Sequence, residues 1–340
     1  ALAIIDSDPG GYPGSTNAEF VNLLVQHRKM LDRIRPGIEL DYWVHAGWQA
    51  YSRFYQTGEF KFGLEPEFID TIKRLKEADP EPWGLANGLS YAQKLGVAWR
   101  VISFNYGRIE GEPSFPITNF GGNSAYDGGA HPGPRGVMGN AQTHCVQLPN
   151  TFAFARGAIG QPVSEADYVQ FANELIAGQG QAITKAWKAL AGNNSPEMRA
   201  RARVLRNAAA HNLRGGPLSG LLFGDPKRFL MDLVMELDTK AAFLDFLAAT
   251  AKSQNVKPAF RAFTSAAEIW ERQTGYQNRW EWPGMANALK QLHSSAIDRV
   301  LETRSLGRTH FDEVKDFYYK EETFTPRLIA AMKQTLGTMQ

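Results

Sequence analysis

Two aspartates stand where the first apolar run of the chain stops. Residues 1–5 are apolar, and Asp6 and Asp8 follow them, just before a proline and two glycines. Because proline cannot continue a central strand and glycine favours a turn, the run predicts a short buried strand that ends near Asp8. The two aspartates are two residues apart and therefore lie on the same side of that strand. A carboxyl pair at this position is a candidate for acid and base catalysis.

Polar and aromatic side chains also lie in or just after the next three strand-like runs, which are 38–45, 97–104 and 137–148. The carboxyl ends of parallel strands lie at one edge of a sheet, so we expect these side chains to meet there. Carboxylates and amides bind sugar hydroxyls, and indole faces cover the apolar face of a pyranose, so this combination is typical of a carbohydrate site. The catalytic candidates are Asp6, Asp8 and Asp41. The candidates for substrate binding are Trp43, His45, Trp48, Asn105, Tyr106, Glu110, Asn140, Gln142 and His144.

The elements that must position these side chains alternate between strand and helix up to about residue 160. Thr16 and Asn17 are candidate caps for a helix that runs to Pro36, and a second helix is expected to begin at Glu65 and stop near Pro80. This alternation predicts a parallel α/β sheet with right-handed crossovers. Four strands are half of a (β/α)8 barrel, so we expect a TIM-barrel-like region, complete or partial. If it is partial, the remaining strands come from an upstream segment or from a partner chain.

The segment 108–134 is a long loop rich in glycine and proline that joins two of these strands. Loops of this length in a compact domain are usually functional, so we expect it to cover the site and close over substrate. Its candidate contacts are Glu110, Asn119, Asp127 and His131.

Beyond residue 160 the pattern becomes helical. Ser164 to Asp167 matches a capping box, Ser195-Pro196 and Asp225-Pro226 are typical helix starts, and apolar residues recur at three- and four-residue spacing. The sequence therefore predicts two domains, a β/α catalytic region over 1–160 and an all-helical domain over 161–340.

Composition excludes several classes of function. The chain has 37 basic and 35 acidic residues, which give a net charge of +2 and no argument for a nucleic-acid partner. Its single cysteine excludes a disulfide framework and a cysteine-rich metal site. No apolar run approaches the ~20 residues of a membrane span, and we expect no cofactor and no metal.

The chain begins with Ala, which is compatible with a processed or truncated product. The compartment stays open, and secretion or export to a periplasm is compatible with the sequence.

The organisation resembles the later half of a glycoside-hydrolase-type barrel followed by a helical C-terminal domain, as in the alpha-glucuronidase and beta-hexosaminidase-like groups. The resemblance depends on three segments in the first half of the chain, 4–8, 41–45 and 139–144. It implies a glycosidase that cleaves an oligo- or polysaccharide by carboxylate acid and base catalysis. The catalytic Asp-Glu pair of the hexosaminidase-like families has no counterpart in the first strand, where the pair is Asp-x-Asp.

Two alternatives remain. Asp6-Ser7-Asp8-Pro9-Gly10 resembles the opening motif of nucleoside hydrolases, which binds Ca²⁺ and ribose hydroxyls, although Tyr12 and Pro13 occupy the positions of two further aspartates in that family. A calcium site needs 6–8 oxygen ligands, so the motif in this chain lacks its main anionic ligands. The other alternative is a non-catalytic carbohydrate-binding subunit that uses the same aromatic and amide side chains.

Overall fold

The computed structural model of the protein describes residues 2–4, 13–43, 53, 56, 65–86, 88–105, 134–139, 144–222, 225–252, 255–274, 282–306 and 324–339. The chain divides into two compact units. The first, called the sheet unit here, contains Ala1–Asn105, His131–Gly139 and Leu306–Tyr318. The second, the helical unit, contains Tyr106–Ala130, Asn140–Ser305 and Tyr319–Gln340.

Five parallel strands form the sheet of the first unit, in the spatial order β1-β2-β3-β4-β5. Each strand therefore pairs with the next strand along the chain. The elements are β1 (Leu2–Ile4), α1 (Asn17–Ile34), β2 (Leu40–Trp43), α2 (Glu65–Ala78), β3 (Trp83–Ala86), α3 (Leu89–Lys94), a 3-10 turn (Ala98–Arg100), β4 (Val101–Asn105) and β5 (Val137–Gly139). The α/β class and the parallel pairing predicted from the sequence are confirmed for this unit. In the described residues β1 and β5 are the two edges of the sheet.

Helices α1, α2 and α3 pack on one face of the sheet. Helix α1 begins where the sequence predicts, because the Thr16 hydroxyl accepts a hydrogen bond from the backbone N–H of Glu19, whose carboxylate accepts one from the backbone N–H of Thr16. The buried residues of α1 and α2 form one apolar core with alternate residues of β2 and β3, including Leu40, Tyr42 and Leu85. Because successive strand residues point to opposite faces, the residues between them point away from the helices.

Three strand predictions need correction. The predicted third strand over 97–104 begins only at Val101, because Ala98–Arg100 is a 3-10 turn. The sequence pattern does not predict strand β3, which follows two prolines. All four of its residues are buried, so polar and apolar side chains do not alternate along it. The predicted fourth strand over 137–148 ends at Gly139, and a helix begins at His144. Leu148 and Phe152 are one helical turn apart and both contact the interior, because Leu148 is buried and Phe152 stacks on Phe171. Burial at this helical spacing favours a helix over a strand.

Helices dominate the second unit, as the sequence predicts. They are α4 (His144–Ala158), α5 (Glu165–Leu175), α6 (Gly180–Ala191), α7 (Ser195–Ala209), α8 (Pro226–Ala251), α9 (Lys257–Thr274), α10 (Met285–Lys290), α11 (Ser295–Leu306) and α12 (Phe324–Thr338), with a 3-10 turn at Ser219–Leu222. The capping box predicted at Ser164 and Asp167 is present, and Asp225 caps α8 through the backbone N–H of Arg228. No described helix is both long enough and apolar enough to cross a membrane.

Asp232 of α8 gives the helical unit a pH-dependent contribution to stability. Its Oδ1 accepts a hydrogen bond of 3.0 Å from Nε1 of Trp270, and burial raises its pKa against the opposing effects of Trp270 and Arg228. A raised folded-state pKa means that this contribution is fully present below the unfolded-state pKa of about 3.9 and is lost as the pH rises through the folded-state pKa. Asparagine keeps the acceptor oxygen without the buried charge. We therefore expect Asp232→Asn to raise the free energy of unfolding at pH 7.

Urea unfolding of wild type and Asp232→Asn between pH 3 and pH 8 measures this effect. The gain should disappear at the acid end of the range. Asp238→Asn, on the same helix in a more exposed pair with Arg206, is the matched control and should show little change. A stability difference for Asp232→Asn that is constant across the range would contradict the assignment.

Candidate functional site

The carboxyl ends of the five strands lie at one edge of the sheet, called the carboxyl edge here. The register pairs Ile4 with Tyr42, Trp43 with Ala86, and Asn105 with Gly139, and every pairing is parallel. The structure thus brings together the ends of β1, β2 and β4, which belong to three of the four runs from which the sequence predicted a site. Trp43 is the last residue of β2, and Asn105 is the last residue of β4.

The predicted site residues fall into three groups. Asp41 is described with its side chain. Trp43, Asn105 and His144 are described in backbone position only; His144 is the first residue of α4 and belongs to the helical unit rather than to a strand end. The remaining predicted residues lie outside the described part of the chain. They are Asp6, Asp8, His45, Trp48, Tyr106, Glu110, Asn140 and Gln142, together with Asn119, Asp127 and His131 of the predicted covering loop.

Asp41 takes part in an ion cluster on the face of the sheet that points away from the helices. Its side chain is 6% exposed, and its Oδ1 accepts a hydrogen bond of 2.7 Å from Nη1 of Arg135. The other terminal nitrogen, Nη2 of Arg135, lies 2.6 Å from Oε1 of Glu39. Nη1 also donates to the carbonyl oxygen of Arg100 at 3.2 Å, so the guanidinium is held from three sides.

Gly84 makes this cluster possible. It is the register partner of Asp41 on β3. A Cβ atom at this position would lie 1.8 Å from Nη1 of Arg135 and 2.2 Å from Oδ1 of Asp41. The absence of a side chain therefore provides the space in which the ion pair forms. Glu39, Asp41, Gly84 and Arg135 are called the Arg135 cluster below.

The contacts of Asp41 indicate that its carboxylate holds the Arg135 guanidinium in place. One oxygen of its carboxylate is bound to a guanidinium, and the residue is 4% exposed, which leaves little surface for contact with a substrate. It lies two residues before the end of β2 and pairs with Ala3 of β1, three residues before Asp6 in the chain. A role as partner carboxylate to Asp6 and Asp8 stays a prediction, but the contacts of Asp41 are those of a group that holds Arg135 in place.

Sequence reasoning missed Glu39, Gly84 and Arg135. The one readable signal was Asp41 itself, because an aspartate between two apolar strand residues needs a counter-charge if it is buried. The sequence does not say which of its many cations supplies that charge. Arg135 lies 94 positions away in the chain, and only the pairing of β4 with β5 brings it into range.

No family model, curated protein or solved structure matches this chain. Among the described residues, no three or more histidine, cysteine, aspartate or glutamate side chains are grouped so that they could hold a metal ion.

Proposed function

We propose that the protein is a glycoside hydrolase that acts on an oligo- or polysaccharide at the carboxyl edge of its sheet. The observation that carries the proposal is the parallel direction of the described strands. Because all five of these strands run in the same direction, their carboxyl ends lie on one edge. In β/α proteins this edge is where catalytic residues gather.

The sequence supplies suitable chemistry directly after these ends. Asp6 and Asp8 come two and four residues after the end of β1, and His45 comes two residues after the end of β2. In this proposal Asp6 and Asp8 perform the acid and base steps, and Asp41, which is bound to Arg135, is their partner carboxylate. One carboxyl group protonates the leaving oxygen as the glycosidic bond breaks, and water adds to the sugar carbon after losing a proton to a carboxylate. The side chain of Asn105 binds sugar hydroxyls, and Trp43 and Trp48 stack on the ring.

The contact between Arg135 and Asp41 supports a barrel-like curvature of the sheet. The backbone N–H of Arg135 donates to the carbonyl of Val101, which places Arg135 beside β4, three strand spacings from β2. In a flat sheet this separation is about 14 Å, which is at the limit of what one arginine and one aspartate side chain can bridge. The contact therefore favours a sheet that is concave on this face and covered by helices on the convex face, as in part of a (β/α)8 barrel. Further strands of such a barrel would pair with the outer edges of β1 and β5.

A screen of aryl glycosides and oligosaccharides with wild type and Asp8→Asn tests the proposal. We expect turnover of at least one glycoside, and a loss of about 10²–10⁴-fold in kcat for Asp8→Asn, since general acid and base groups contribute on this scale. Asp32→Asn, a substitution of a half-exposed aspartate on α1, is the matched control and should keep full activity. Equal rates for Asp8→Asn and wild type would remove Asp8 from the chemistry, and a wild type that cleaves no glycoside would refute the hydrolase.

The Asp6-Ser7-Asp8-Pro9-Gly10 motif favours one second candidate, an N-glycosidase similar to nucleoside hydrolases. Adding nucleosides to the same screen, with Ca²⁺ and with a chelator, separates the two activities. Nucleoside cleavage that needs Ca²⁺ would support the second candidate over the first. A protein that binds sugars without cleaving any glycoside or nucleoside would instead be the carbohydrate-binding subunit.

A further inference from the structure

Trp99 presents an indole ring to solvent at the amino edge of the sheet, the edge opposite to the carboxyl edge. It lies in the 3-10 turn just before β4 and is 59% exposed. Tryptophan is highly buried on average because its large apolar surface is costly to hydrate. An indole this exposed therefore needs a structural or functional reason.

The ring is held in place by a cation. The Cζ atom of Arg100 lies 4.1 Å from the ring centre of Trp99 and 4.1 Å from that of Trp83, so the guanidinium is stacked against both indoles. The Arg100 side chain is only 7% exposed and donates to the carbonyl oxygen of Trp83 at 2.7 Å. It also pairs with Glu81, and with Asp79 at 3.5 Å. Because these contacts fix Arg100, they also fix the orientation of Trp99 before any ligand arrives.

The charges around Trp99 select against ionic ligands. Asp79 and Glu81 contact the same guanidinium that lies on Trp99, and their side chains are 58% and 50% exposed. Two carboxylates against one guanidinium leave a negative local charge, which disfavours phosphates and nucleic acids. A cation on the outer face of Trp99 would meet the positive charge of Arg100 behind the ring. A neutral ligand with an apolar face and hydroxyl donors fits best, and a pyranose has both.

We propose that Trp99 forms a secondary sugar-binding subsite, distinct from the carboxyl edge. The outer face of the Trp99 indole stacks on the apolar face of one pyranose ring. The assignment of a sugar as ligand rests partly on the proposed glycosidase function. On a polymeric substrate the subsite would hold the chain on the protein surface while a second part of it reaches the carboxyl edge.

Native affinity gels that contain soluble β-glucan, xylan or galactomannan test the subsite directly. We expect at least one polymer to retard the wild type and Trp99→Ala to bind it about 10-fold more weakly, the scale of one lost stacking contact. Trp99→Phe keeps an aromatic ring on Arg100 and should retain part of the retardation. Ile34→Ala, which truncates an apolar side chain of a residue that is 73% exposed in the same unit, is the matched control and should migrate like wild type.

Two further measurements separate this subsite from the proposed active site. Asp8→Asn should lose turnover and keep its retardation, and Trp99→Ala should keep its rate on a small aryl glycoside while losing rate on the polymer. Retardation that depends on Trp99 in a protein without glycosidase activity would support the subsite and refute the hydrolase. Equal retardation of wild type and Trp99→Ala, or a wild type that none of the three polymers retards, would overturn the subsite whatever the activity.

Discussion

Gly84→Ala is expected to lower the free energy of unfolding of the sheet unit by about 3–5 kcal/mol, the range found when a buried ion pair is broken. The new Cβ would overlap Nη1 of Arg135 and Oδ1 of Asp41, at 1.8 Å and 2.2 Å, and it would also lie 3.1 Å from the carbonyl oxygen of Arg100. Arg135 can move toward solvent, because its side chain is 24% exposed. Asp41 cannot, so its carboxylate would stay buried without its cation. Urea unfolding followed by fluorescence measures the loss.

A double-mutant cycle with Arg135→Ala shows whether the loss comes from the Arg135 cluster. Removing the guanidinium deletes the atom that the new Cβ meets first, so part of the cost of Gly84→Ala is absent in the Arg135→Ala background. We therefore expect the double variant to be more stable than the sum of the single effects predicts, by about 1–3 kcal/mol. Strict additivity, or a Gly84→Ala protein within about 0.5 kcal/mol of wild type, would show that Gly84 does not make room for the ion pair.

Gly216→Ala is expected to destabilise the helical unit by about 3 kcal/mol or more, because the atoms in its way are backbone atoms that cannot rotate aside. A Cβ at Gly216 would lie 2.2 Å from the carbonyl oxygen of Glu174 and 2.7 Å from that of Asn173, at the end of α5. The native loop approaches closely because the backbone N–H of Gly216 donates to Leu175 and that of Leu218 donates to Glu174. These bonds satisfy carbonyl groups that the end of α5 leaves without helical partners.

Gly220→Ala is the matched control for this prediction. Gly220 lies in the following 3-10 turn, where an added Cβ would meet nothing within 4 Å, so its substitution should change stability by about 0.5 kcal/mol or less. Thermal unfolding of the two variants, with amide exchange of 173–177 as a local probe, compares them. Similar stability of both variants would show that the loop moves away from α5 without loss.

The sequence predicted those elements whose signals are local. The start of α1 was readable because Thr16 and Glu19 satisfy each other within one turn, and the same holds for Ser164 and Asp167 in α5. Strand β3 was not readable, since four buried residues show no alternation between faces. The sequence predicts a strand as far as residue 148, whereas a helix begins at His144, because an apolar run with many polar residues fits either period until its packing partners are known.

The candidate site likewise has one part that the sequence predicts and one part that it does not. The position of the carboxyl edge follows from where apolar runs stop, and that is visible in the sequence. The Arg135 cluster depends on contacts between residues far apart in the chain, on the alternation of Asp41 with Leu40 and Tyr42, and on an empty space at Gly84. None of these three conditions has a local sequence signal. Asp41 was therefore predicted as a catalytic partner when its observed contacts are those of an anchor.

The strand order has a consequence for how the sheet assembles during synthesis. Leu2 pairs with Leu40, Leu40 pairs with Trp83, and Leu85 pairs with Val101, so each strand needs only the strand made before it. Loop closure between neighbours in the chain loses less entropy than closure between distant segments, and short sequence separation speeds folding. We expect the strands to add in one direction as the chain emerges from the ribosome, with α1 and α2 covering the new surface as it forms. Arg135 is synthesised 94 residues after Asp41, so the Arg135 cluster forms late. It then stabilises a sheet that has already assembled.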